Sequence, residues 1–186
     1  NQNYYYKASF DLKDDGIYTF IMKLCDDRME NNYAEFSFEH QTVNEKEVSP
    51  NDTNVLGNVH GGRVMCLMDI CAAMSAYKHA RKPVVTASVD RLDFLAPAKK
   101  GDILILKSSV NYAHRTSMEI GVRIDAESPL TGKISHTATA YLTFVAIDEN
   151  NKPSPIPKIK PETKDEKRRY DRAKERHLQR RSNRIK

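Results

Sequence analysis

The chain has 186 residues, 39% of them apolar and 30% charged, with a formal charge of +5 and three cysteines. That length accommodates one domain with appendages, and no run approaches the roughly 18 apolar residues of a membrane-spanning helix. An odd cysteine count, with Cys66 and Cys71 in one apolar stretch, argues against a disulfide framework and for a reducing, cytoplasmic setting.

Residues 1–47 carry −5, residues 48–163 carry +3 and residues 164–186 carry +7, so the basic character belongs to the tail. The first segment is expected to form short strands. NQNYYYKASFDLKDD has no basic region leading into an apolar run, so no secretory signal is expected. ASFDLK and IYTFIMKL flank Asp14-Asp15-Gly16, a hairpin signal, and YAEFSFE alternates at Ala34, Phe36 and Phe38. So few apolar groups do not make a core, and residues 1–47 read as an extension of unknown role that packs on a main domain, 48–148.

The loop SPNDTNVLGNVHGG (49–62) is dense in turn formers. A helix follows over roughly 62–80, apolar on nearly every side and so expected to be enclosed by its surroundings. Lys78, His79, Arg81 and Lys82 suit its C-terminus and Pro83 stops it. Cys66 and Cys71 do not share a helical face, which argues against a metal pair.

Four strands are expected next. VVTASVDRLDFL switches parity near Asp90-Arg91, which suggests a bulge. DILILKSSV (102–110) follows. SMEIGVRI (117–124) alternates cleanly, and ISHTATAYLTFVAI (134–147) is apolar enough on both faces for a central strand. Short connections make these strands antiparallel neighbours. A buried helix wrapped by such a sheet is a hotdog-like α+β layout. Residues 149–186 read as a Pro-rich extended linker and a charged helix, entered through a Thr163/Glu166 capping box.

Asp69 is the only charge between Val64 and Ala76. An enclosed carboxylate neutralises, pairs or does chemistry. The glycines Gly61-Gly62 at the head of the helix leave free N–H groups and partial positive charge, a place to hold a carbonyl oxygen that becomes an oxyanion. Asp69 lies about 10 Å further along the axis, too far to touch the same atom. Two subunits with antiparallel helices would bring one helix start to the middle of the other, and the carboxylate would then activate a water against a carbonyl polarised by its neighbour's glycines.

DTNVLGNVHGGRVMCLMD (52–69) resembles the motif of hotdog-fold acyl-CoA thioesterases, specifically the cytosolic acyl-CoA hydrolase family: D-x-N, then G-x-x-H-G-G, then M-D on the helix. TASVDRLDFLAPAKKGD, HRTSMEIGV and HTATAYLTFVAID extend the resemblance over about 48–148. It implies hydrolysis of acyl-CoA to fatty acid and coenzyme A by homodimers with two sites per interface, assembled as a trimer of dimers. The implied catalytic pair is Asn54 and Asp69 from opposite subunits, Asp69 as base for water or as nucleophile, Asn54 orienting the water or the carbonyl. Gly62 N–H would serve as oxyanion donor. No metal or redox cofactor is implied, since coenzyme A is part of the substrate.

Each residue also has a plainer reading. Asn54 could close an Asx turn, Asp52 is the turn residue, and His60 is an orienting neighbour and not the base. Coenzyme A phosphates call for cations and hydroxyls, and Arg115, Thr116, Ser117, Lys99 and Lys100 are the candidates. Met65, Met68, Phe94 and Leu95 could line an acyl tunnel, with core packing as the default. The tail alternates basic and acidic residues and lacks aromatic platforms, so a solvated helix crossing a neighbouring subunit is favoured over RNA binding. A non-catalytic acyl-CoA-binding hotdog protein and a nucleic-acid-binding protein remain the rivals.

Overall fold

The first strand of the fold, β1 (Glu35–Phe38), is followed by β2 (Gln41–Glu47) in a computed structural model that describes residues 35–38 and 41–183. The expected hairpin at Asp14-Asp15-Gly16 lies outside these residues. A short 3-10 turn, Pro50–Asp52, leads through the glycine-rich loop to α1 (Gly61–Ala80), one residue earlier than the sequence suggests. Arg81, in the left-handed region at φ 51°, closes the helix with its N–H on Tyr77 O (2.9 Å), and Pro83 prevents continuation.

Then come β3 (Val84–Phe94), β4 (Ile103–Ala113), β5 (Ser117–Glu127) and β6 (Ile134–Ala146). All pairings in the six-stranded sheet are antiparallel, in the order β1-β2-β4-β5-β6-β3. The expectation that successive strands are neighbours holds for β4-β5-β6 and fails for β3. One edge of β4 is occupied by β2, so β3 crosses over to pair with β6. The extension therefore supplies a strand of the main sheet through β2, and β6 is flanked on both sides as its composition suggests. The expected bulge is present at Val89/Arg91, with a second at Thr86/Ser88.

Helix α1 buries Val64, Leu67, Met68, Cys71, Ala72, Ala76 and Ala80, a stripe at three- and four-residue spacing, against the inner face of the sheet. Complete burial of Phe144 and Met68, 1% and 2% exposed, contributes about 1.5–3 kcal/mol each. A small polar tie fixes the helix on β4: Ser75 Oγ and Ser108 Oγ lie 2.7 Å apart, and Ser108 Oγ donates to Cys71 O at 2.8 Å. The arrangement is the hotdog fold.

The helix is not enclosed by its own chain, however. Met65, Cys66 and Tyr77 on its other side are exposed, as are Val85 and Val89 on β3. All-round apolarity here reflects one face buried on the sheet and a second left open beside the edge strand.

Beyond β6 the Pro-rich segment runs as an ordered strap. Lys82 Nζ donates to Ser154 Oγ (2.8 Å) and Pro155 O (2.9 Å), and His79 Nε2 lies 2.8 Å from Pro157 O. Helix α2 (Lys164–Asn183) then starts at the expected capping box, with Thr163 N–H on Glu166 Oε2 (2.9 Å) and Glu166 N–H on Thr163 Oγ1 (3.2 Å). No helix of the described residues is long and apolar enough to cross a membrane.

Candidate active site

The loop before α1 is held by Asp52, which is more than a turn residue. Its buried carboxylate accepts from Ser49 N–H (3.2 Å) and Ser49 Oγ (2.7 Å) and pairs with Arg63 Nε at 2.7 Å and Lys46 Nζ at 3.8 Å. Burial pushes this carboxyl up, but the Ser49 hydrogen bond and the two cations outweigh it and hold Asp52 below its ordinary value. β2, the loop and the first turn of α1 are thereby tied at one point.

Asn54 sits in the loop so anchored. Its Oδ1 accepts from Leu56 N–H (2.9 Å) and Asn58 N–H (3.3 Å), the Asx turn of the plainer reading, and Gly57 supplies the left-handed φ of 74° that the turn needs. With Oδ1 engaged, the remaining capacity of the amide is donation through Nδ2. His60 caps α1 through its backbone, accepting from Arg63 N–H (3.0 Å) and Val64 N–H (3.1 Å); its side chain is exposed and makes no capping bond. Ahead of these bonds stand the amides of Gly61 and Gly62, which helix geometry leaves without an intrahelical acceptor. A Cβ at Gly62 would meet nothing within 4 Å, so crowding within the subunit does not require this glycine.

Asp69 is half-buried, and Thr86 Oγ1 donates to its Oδ1 at 2.6 Å. Thr86 lies on β3 directly before the first bulge, and sequence reasoning missed it; the parity irregularity of that strand was the available signal. Asp69 lines a recess of about 250 Å³ with Met65, Cys66, Met68, Val89, Leu92 and Leu142. A separate recess of about 380 Å³ lies at the helix start, where Gly61 meets Phe94, Leu95 and Pro97. One subunit thus carries amide donors and carboxylate about 10 Å apart on one helix, in different recesses. Phe94 and Leu95 are half-exposed and are not core; Met68 is core.

The candidate phosphate-binding groups do not come together within a subunit. Lys99 and Lys100 stand at the start of β4, beside the Asn54 loop through the Asn58–Lys99 bridge and the bond from Lys100 N–H to Gly57 O (3.0 Å). Arg115, Thr116 and Ser117 stand at its other end, with Arg115 O accepting from Ile156 N–H in the strap (3.0 Å). An 11-residue strand separates the two groups by roughly 35 Å.

The tail helix also departs from expectation. It packs on the outer face of its own sheet, where Ala173 is fully buried. Arg176 contacts both carboxylate oxygens of Glu119, at 2.6 and 3.1 Å, and lies 3.8 Å from the Tyr141 ring centre. Arg180 Nη1 reaches Asp90 Oδ2 at 2.7 Å and Glu119 Oε2 at 3.2 Å. Burial works against the Arg176 charge, yet bonded Glu119 outweighs it and holds the guanidinium above its usual range. Gly121 makes room for the network: a Cβ there would stand 2.5 Å from the Asn111 amide, whose Nδ2 donates to Glu119 at 3.4 Å. A mixed-charge tail was legible as a helix, but its buried acidic counterpart on β5 was hidden in an alternating strand.

Known proteins place this geometry in context. The Thioesterase superfamily model matches residues 56–133. The uncharacterized acyl-CoA thioester hydrolase YkhA of Bacillus subtilis is 41% identical over 138 residues, 74% of this chain and 80% of its own length. The human cytosolic acyl coenzyme A thioester hydrolase is 37% identical over 134 residues, 71% of this chain but only 35% of the longer human protein. An apo-hexameric acyl-CoA thioesterase superposes with TM-score 0.75 at 43% identity, covering 77% of this chain and 92% of that one. The Staphylococcus aureus acyl-CoA hydrolase, solved with butyryl coenzyme A, coenzyme A and coenzyme A disulfide, gives 0.74 at 42%, covering 79% and 90%. Solved variants of that enzyme replace one Asp, one Asn and one Thr by Ala.

Proposed function

This chain belongs to the thioesterase superfamily, and from that premise we propose that it hydrolyses acyl-CoA to a free acid and coenzyme A, with each site shared between two subunits. The observation that carries this reading is Asp69: a carboxylate in an apolar recess, oriented by Thr86 at 2.6 Å, on a helix whose start presents open glycine amides. The Asn, Asp and Thr replaced in the Staphylococcus aureus enzyme are 15 and 17 positions apart, the separations of Asn54, Asp69 and Thr86 here, which supports one shared constellation.

In the proposed step the thioester carbonyl oxygen lies against the Gly62 N–H at the positive end of α1. Asp69 from the other subunit takes a proton from water as the water oxygen bonds to the carbonyl carbon. The tetrahedral intermediate collapses with cleavage of the C–S bond, and the departing thiolate recovers the proton. Asn54, with only Nδ2 left to give, orients the carbonyl or the water as a donor. His60, with an exposed ring, supports the helix start through its backbone. These steps use side chains, backbone and water alone. Lys99–Lys100 of one subunit and Arg115–Ser117 of another are assigned to the coenzyme A phosphates.

The open apolar face of α1 beside the edge strand β3 supports the homodimer, and the hexameric relative supports a trimer of dimers. A cytoplasmic setting follows the cytosolic relative. The RNA-binding reading loses support because Arg176 and Arg180 are committed to Glu119 and Asp90.

The test is complementation. Asn54→Ala and Asp69→Asn are each expected to abolish thiol release from butyryl-CoA and longer thioesters. Mixed and reassembled, the two should recover about a quarter of wild-type activity, because half the dimers are hybrids with one intact site. No recovery from hybrids of normal size would place both residues in one subunit's site.

A further inference from the structure

Three side chains of β3 face the surroundings of Asp69 at a spacing that a regular strand forbids. Thr86 donates to Asp69 Oδ1, and Val89 and Leu92 line the recess around it. Side chains three positions apart on a regular strand point to opposite faces. The two bulges remove the conflict. Opposite Thr86, Val89 and Leu92 stand Phe144, Leu142 and Ala140 of β6, alternate residues that are all buried in the core. The register skips Ala87 in the first step and Asp90 in the second, and each skipped residue returns the strand to the inner face. As the end strand of the sheet, β3 has a ladder on one side only among the described residues, so few backbone bonds hold this irregular segment.

The skipped residue Asp90 gathers the bonds that hold the segment. Its Oδ1 accepts from Ser88 Oγ at 3.2 Å, within the strand and between the two bulges. Its Oδ2 accepts from Thr143 Oγ1 of β6 at 3.2 Å and from Arg180 Nη1 of α2 at 2.7 Å. The side chains of Arg180 and Asp90 are 23% and 16% exposed, so the charged bond is largely shielded from water. Arg180 also reaches Glu119 of β5, whose side chain is fully buried, so one guanidinium ties the middle of the sheet to its edge. We propose that Arg180 is a positioning residue for the active site: through Asp90 it clamps the bulged segment of β3, and so holds Thr86 on Asp69 and keeps Val89 and Leu92 in the wall of the recess. The tail helix thereby supports turnover without touching substrate. Arg176 provides the contrast on the same helix, because it bonds Glu119 and leaves Asp90 to Arg180. The assignment rests on the acyl-CoA reading above and adds a support that comes from outside the recess, on the far face of the sheet.

The experiment compares wild type, Arg180→Met, Arg180→Lys, Asp90→Asn and Arg176→Met in the full chain, each checked for folding and for unchanged oligomer size. Arg180→Met and Asp90→Asn should lower turnover of butyryl-CoA about three- to fivefold, mainly through kcat, and Arg180→Lys should recover part of the loss. Arg176→Met should keep kcat. In a Thr86→Val background, Arg180→Met should cost almost nothing further, because both substitutions act on the same bond to Asp69. Amide hydrogen exchange over residues 86–92 should speed about tenfold in Arg180→Met and stay near wild type in Arg176→Met. Full kcat or unchanged exchange in folded, assembled Arg180→Met overturns the proposal. So does an equal fall of kcat in Arg176→Met, which would mean that attachment of the helix at large acts on the site, and so does a loss that adds to that of Thr86→Val. Absence of thiol release by wild type would sink the hydrolase reading instead, and the exchange rates would still report on the clamp. Should Arg180→Met not fold, Asp90→Asn carries the same comparison.

Discussion

Helices α1 and α2 are both 20 residues long and lie on opposite faces of one sheet, yet they are held by opposite means. The inner helix is fastened by apolar burial and one small serine-cysteine tie. The outer helix sets the rings of Tyr170 and His177 on Tyr112 and is fastened by a buried acid, Glu119, that grips two arginines. Non-directional burial leaves the carboxylate of the inner helix, Asp69, out of the attachment and bonded to Thr86 on β3. On the outer helix, charge is consumed in attachment. The position of a charged residue is therefore a poor guide to its role until its partners are known.

The sharpest way to break this contrast lies within α1, at two adjacent residues. Asp69→Asn is expected to lower kcat by about 10²–10⁴-fold while the melting temperature stays near wild type. Met68→Ala is expected to cost about 2–5 kcal/mol of stability in denaturant titrations, because its side chain is buried against the sheet. A large stability change in Asp69→Asn would mean that the carboxylate is structural after all.

On the outer helix, Arg176→Met should cost about 2–3 kcal/mol, since it strips a bidentate partner from Glu119 and leaves the acid with Arg180 at 3.2 Å and the Asn111 amide at 3.4 Å. Turnover per folded subunit should not change. A fall in turnover would draw the outer helix into the site.

Thr86→Val sharpens the boundary between positioning and chemistry. Loss of its 2.6 Å bond to Asp69 should lower kcat about tenfold, with Thr86→Ser near wild type. The smallest effect concerns Asp52: burial pushes its carboxyl up, but Ser49, Lys46 and Arg63 outweigh it and hold the group below its ordinary value. A depressed folded value stabilises above the unfolded pKa and is lost as pH falls through the folded one. Its contribution is thus complete above about pH 5 and drains away below pH 4. Unfolding free energies of Asp52→Asn against pH should show a flatter acid limb than wild type.

Much of this architecture was legible in the chain because its signals are local. The helix bounds follow from Gly61-Gly62 and Pro83, the capping box from Thr163 and Glu166, and a bulge from the parity change at Asp90-Arg91. Non-local facts were not legible. Glu119 reads as an ordinary outward residue of an alternating strand until α2 is folded over it, 57 residues later. The placement of β3 beside β6 depends on β2 having filled the edge of β4, which no property of β3 announces. Thr86 was overlooked because a threonine in a strand is what β-propensity alone would supply.

The bulges of β3 have a consequence beyond aiming side chains. As the end strand of the sheet it presents backbone donors and acceptors that any extended chain could copy onto. Its pairing with β6 runs unbroken for at most four residues, Arg91–Phe94, and that run carries Arg91 and Asp93. A stray strand could not keep register along it for long. The irregularity next to Thr86 thus also makes β3 a poor template for fibrillar stacking.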